Sequence, residues 1–126
     1  MESNDAADRV INLTKNTTLA NRVEIAGTWL TRLKGLLGRD RLPEGHCLVI
    51  TPCRSVHTHF MKFNLDILFI DTSGRIVYVA ENLPPFRITP NVRRACFVVE
   101  LPAGTVSSTG TSIDDCLNIF PETLKR

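Results

Sequence analysis

The chain has 126 residues, of which 43% are hydrophobic and 22% charged, with a formal net charge of +2. That length fits one domain, with enough apolar material for a core that needs no staples. Near-balanced charge gives no case for nucleic acid or an anionic membrane surface, and no apolar run approaches the roughly 20 residues of a membrane span.

Residues 1–8 read as a disordered polar tail, and residues 9–126 as a single globular domain. The polar, acidic start is unlike a signal peptide. The four cysteines, Cys47, Cys53, Cys96 and Cys116, include no Cys-x-x-Cys pair. A cytoplasmic protein with reduced thiols is therefore expected, unless a natural leader has been removed.

Two short apolar runs, residues 10–13 and 19–25, flank Asn16-Thr17-Thr18 and predict a hairpin. The period then changes. Ala26, Trp29, Leu30, Leu33, Leu36 and Leu37 recur at three- and four-residue steps, which predicts an amphipathic helix over residues 28–37. Thr28 suits its N-cap and Gly38 its stop. A strand follows at residues 47–51, closed by Pro52. Residues 65–70 and 76–80 are nearly continuous apolar runs joined by Asp71-Thr72-Ser73-Gly74. They predict a hairpin of two central strands. Asn82-Leu83-Pro84-Pro85-Phe86 breaks the sheet and opens an irregular crossover. Residues 95–101 predict another buried strand, Pro102-Ala103-Gly104 a turn, and residues 111–119 a last strand or hairpin limb. The fold class is mainly β, a small barrel or sandwich with one amphipathic helix packed on it.

Chemistry-bearing side chains concentrate between Pro52 and Asp66. In extended form, Ser55, His57 and His59 share one face. Cys53, His57 and His59 could then hold zinc with Asp66 or Glu100, although the spacing matches no structural zinc signature. A second alternative is a Cys53 nucleophile with His57 as its base. The leading reading is a polar pocket that binds without reacting. His57, Asp66 and Glu100 would supply its hydrogen bonds, and Met61, Phe63 and Phe86 its apolar walls. Asp66 and Glu100 adjoin apolar strands, where a bare carboxylate is costly, so each needs partners. Arg93-Arg94 is a weak anion cue that usually marks a solvated loop.

Several segments carry a family resemblance: Gly35-Leu36-Leu37-Gly38-Arg39, Ser55-Val56-His57-Thr58, Phe60-Met61-Lys62-Phe63 and Leu65-Asp66-Ile67-Leu68-Phe69-Ile70-Asp71. Asn82-Leu83-Pro84-Pro85 and Glu100-Leu101-Pro102-Ala103-Gly104 complete the set. In this order they resemble the bacterial and archaeal family called Domain of Unknown Function 192, from about Val23 to Ile119. The resemblance implies a small β-barrel or jelly-roll-like sandwich carrying a helix, and no established reaction. Its motif positions fall on His57, Met61, Asp66, Glu100 and Gly104. Two positions depart from the pattern: His59 replaces a usual aromatic, and Asp114-Asp115 replaces a usual Gly-Asp. The expected function is therefore a small binding or accessory module with candidate ligand residues His57, Met61, Asp66 and Glu100. A metal- or cysteine-dependent enzyme and a protein-interaction module are the alternatives. No catalytic residue is assigned and no cofactor is predicted; zinc belongs to the metal alternative. The expected partner is a small molecule or a protein.

Overall fold

In the computed structural model, residues 9–26, 40–59 and 61–120 are described. The tail expected at residues 1–8 and the helix expected at residues 28–37 lie outside them.

Among the described residues, eight strands and one short helix follow in order: β1 Arg9–Asn12, β2 Thr17–Ala20, β3 Arg22–Ala26, β4 His46–Ile50, β5 Leu65–Ile70, β6 Ile76–Leu83, β7 Phe97–Pro102, α1 Thr105–Thr109 and β8 Leu117–Phe120. They form a three-stranded sheet, β2-β1-β8, and a five-stranded sheet, β3-β4-β7-β5-β6. The mainly-β expectation holds. Among the described residues no strand pairing closes a barrel.

The β1–β2 hairpin forms as expected. Its second limb ends at Asn21, however, because the Asn21 and Arg22 amides both turn to the Gly45 carbonyl. The chain there leaves one sheet for the other, and β3 pairs with β4 in parallel. Consecutive parallel strands need a crossover between them rather than a tight turn.

β5 and β7 lie inside the large sheet. All six residues of β5 are buried, as are Phe97 to Leu101 of β7. Their continuous aliphatic sequence suits strands covered on both faces. The β5–β6 hairpin turns on Asp71, whose Oδ1 accepts the Ser73 and Arg75 amides at 2.9 and 3.0 Å. β6 corrects the expectation of two central strands. It lies at the sheet edge, and most of its residues are only half-buried or exposed.

Each face of the large sheet has its own core. Leu68, Ile70, Val49, Val99 and Leu101 pack with Val10, Leu19, Leu117 and Ile119 of the small sheet. Ile67, Phe69, Leu48, Ile50 and Val98 face the other way, onto Cys53, Val56, Leu42, Met61 and Phe63. The last expected strand shrinks to β8. Residues 111–116 instead form a loop around buried Asp115, which accepts hydrogen bonds from Asn12, Lys15 and the Ser112 amide. The Lys15–Asp115 ion pair measures 2.8 Å.

Candidate binding surface

Asp66 and Glu100 diverge. In antiparallel pairs, residues directly opposite share a face. Asp66 is opposite Leu101, while Glu100 is opposite Ile67 and Leu48. Asp66 therefore projects toward the core shared by the two sheets, and Glu100 toward the face where Met61 packs. A single pocket lined by both carboxylates does not form.

Asp66 is completely buried. Its Oδ1 accepts the Asn82 amide at 2.7 Å. Its Oδ2 accepts the Gly104 and Val106 amides at 3.0 and 2.8 Å. The first bond secures a bulge in β6, where the pairing jumps from Ile67–Ala80 to Leu65–Leu83 and Asn82 adopts φ 54. The other two satisfy amides at the start of α1, which a helix leaves without internal partners. Gly104 enters that turn at φ 100, a conformation that glycine adopts without a steric penalty. Three backbone donors thus hold the carboxylate in a structural role.

Residues 51–64 and 84–96 meet in a loose antiparallel ladder beside the large sheet. Cys53 N donates to Cys96 O at 3.0 Å, Val92 N to Arg54 O at 2.8 Å, Thr89 N to Val56 O at 2.9 Å and Thr58 N to Arg87 O at 2.8 Å. Two buried threonines clamp it. The Thr58 hydroxyl donates to Pro84 O at 2.7 Å and accepts the Arg87 amide at 2.9 Å, and Thr89 Oγ1 accepts the Val56 amide at 3.0 Å.

Along this ladder only His57 makes a β-bridge, with Ile88. The chain then turns, with Met61 N donating to Thr58 O. The extended form considered for this segment is therefore not a regular strand over residues 55–59. The imidazoles of His57 and His59 still approach, edge to face, with centroids 5.1 Å apart. Phe86 adds a second edge contact to His59, at 5.9 Å. Phe86 is 64% exposed and Ile88 70%. Phe86 also adopts φ 64, the left-handed region that bulky side chains rarely occupy.

Cys53 stands apart from this surface chemistry. Its buried thiol donates to the Ser55 carbonyl at 3.2 Å, unlike the accessible thiolate that a nucleophile requires. It borders a cavity of about 270 Å³ lined by Thr51, Pro52, Cys53, Arg54, Ala95 and Cys96. Among the described residues, no three His, Cys, Asp or Glu side chains are grouped to hold a metal. The zinc trio Cys53, His57 and His59 is therefore not assembled: the two imidazoles still meet on the surface, but the Cys53 thiol is buried in the core on the far face of the large sheet.

Sequence reasoning missed Thr58, Thr89, Ile88 and the outward placement of Phe86. Only Pro84-Pro85, a turn signal, hinted at the last.

Two open sheets sharing one core, with a loop ladder on the far face, define a two-layer β domain. The chain belongs to the Domain of Unknown Function 192 family, whose model, described as Uncharacterized ACR, matches residues 10–119. It is 29% identical to the UPF0127 protein PH1112 of Pyrococcus horikoshii, across 88% of this chain and 98% of that one. It is 30% identical to a solved Sinorhizobium meliloti protein described as a "putative transcription regulator", with a TM-score of 0.74, covering 94% of this chain and 97% of that one. A solved protein of unknown function from Novosphingobium aromaticivorans shares the fold at a TM-score of 0.77 and 21% identity, covering 87% of this chain and 83% of that one.

Proposed function

We propose that this domain is a non-catalytic binding module whose recognition surface is the ladder of residues 51–64 and 84–96. His57, His59, Phe86 and Ile88 form its outer face, and Met61 packs on the core of the large sheet's far face. Of the remaining candidate residues, Glu100 faces the same side of the sheet as Met61, while Asp66 supports the framework from the opposite side.

One observation carries this reading. Phe86 is held in a backbone conformation that costs about 1–3 kcal/mol, and its ring is left mostly in water. Folding gains little from that arrangement, whereas a partner that covers the ring would gain its apolar area. Aromatic anchors of this kind carry a large share of binding energy at protein surfaces.

Amide NMR of the labelled domain during a screen of small aromatic and aliphatic fragments and short peptides tests the reading. Hits should shift amides within residues 54–59 and 85–89 and be lost in Phe86→Ala. Hits gathering instead on β1, β2 and β8 would refute it.

A further inference from the structure

The two ladder segments hold Arg54, Lys62, Arg87, Arg93 and Arg94. They contain five of the fifteen Lys and Arg residues and none of the thirteen Asp and Glu. Ten basic and thirteen acidic residues remain for the rest of the chain, a formal excess of three negative charges. The small net charge therefore conceals a segregated distribution. The ladder bonds bring the backbones of three of these cations into one strip: the Arg54 carbonyl accepts the amide of Val92, next to Arg93, and the Arg87 carbonyl accepts that of Thr58. All five side chains are on exposed residues, and none forms an ion pair with a described carboxylate.

We infer that the partner of this surface is an acidic protein segment, rich in carboxylates and carrying an apolar side chain. The inference rests on the binding-module reading and names the class of partner. Arg87 lies between Phe86 and Ile88 in sequence and all three are exposed, so a cation and two apolar side chains occur within three residues. An arginine fork pairs with a carboxylate through two parallel hydrogen bonds. Phe86 and Ile88 are each more than half exposed, more open than the lining of a small-ligand pocket, which suits a macromolecule better. Exposed aliphatic Ile88 would suit an apolar peptide side chain. A nucleic-acid strand would instead use several stacking platforms, and Phe86 is the one exposed Phe, Tyr or Trp among the described residues of these segments.

The test is an amide NMR titration of the whole chain with three probes. One peptide has four repeats of Glu-Glu-Leu, the second four repeats of Gln-Gln-Leu, and the third probe is a twelve-nucleotide oligothymidylate. The glutamate peptide should bind at least about tenfold more tightly than the glutamine peptide at low salt, and weaken as salt rises from about 50 to 300 mM. Its shifts should map to residues 51–64 and 84–96. The double variant Arg87→Glu/Arg93→Glu should lose about tenfold in affinity while keeping the spectrum of a folded domain. Equal affinity for both peptides at this face would overturn the acidic partner and leave the binding surface standing. Tighter binding of the oligothymidylate, or binding by none of the three, would also overturn it. Peptide shifts confined to the small sheet would overturn both readings.

Discussion

Two regions carry the motif residues of this chain, and they obey opposite physics. At the Asp66 corner a buried charge is saturated by three backbone amides. At the His57–Phe86 ladder, exposed apolar rings and cations stand on a strained turn. Burying a carboxylate is tolerable only when it is fully hydrogen-bonded. Asp66 therefore reports on how α1 and the β6 bulge are fastened. The ladder spends stability to present groups outward, as binding sites do. A family motif can thus mark a fastening as readily as a site.

Substitutions should separate the two regions by sign as well as by size. Asp66→Ala leaves buried amides without an acceptor and should cost about 3–5 kcal/mol in urea unfolding. An unchanged midpoint would remove Asp66 from its structural role. Thr58→Val breaks the clamp between the two loops and should cost about 1–3 kcal/mol, with faster amide exchange at Arg87. Unaltered protection there would show that the ladder holds without the hydroxyl. Phe86→Gly should act in the opposite sense. Relief of the left-handed strain should stabilise the fold by about 1 kcal/mol, while fragment binding at this face disappears. A lower unfolding midpoint in that variant would mean that the ring contributes to folding after all.

The smallest effect should appear in acid. Burial pushes the Asp115 carboxyl upward, but hydrogen bonds from Asn12, Lys15 and the Ser112 amide outweigh it and hold the group below its ordinary value of 3.8. A group depressed in the folded state stabilises above its unfolded pKa, and that contribution fades as pH falls through the folded value. The stability gap between wild type and Asp115→Asn should therefore be steady near neutrality and narrow below about pH 4. A gap independent of pH would contradict this.

Much of the large sheet was legible because its strands announce themselves. The β5–β6 hairpin combines apolar runs with Asp71-Thr72-Ser73-Gly74, and β7 is aliphatic throughout. What escaped was anything decided by long-range pairing. The faces of Asp66 and Glu100 depend on the register between β5 and β7, which periodicity within either strand does not reveal. α1 has only five residues, four of them Thr or Ser and the fifth Val, a poor helix former by composition. It forms where Asp66, about forty positions earlier, accepts its first amides. Asp114 adopts a left-handed φ of 78, a region that aspartate visits more readily than most residues and that would suit the glycine the family resemblance implies there. Phe86 has no such excuse in its sequence, and its conformation emerged only with the ladder.

β1 depends on the far end of the chain. It pairs with β8, and its Asn12 bonds to Asp115 across 103 positions of sequence. On a ribosome adding about 5–20 residues per second, β1 would emerge some 5–20 seconds before its partner strand exists. Through that interval the nascent chain would carry Val10 and one bare edge of the β1–β2 hairpin uncovered. Among the described residues β8 is thus the strand that completes the small sheet, and a ribosome stalled before Leu117 would display an unfinished edge open to other chains.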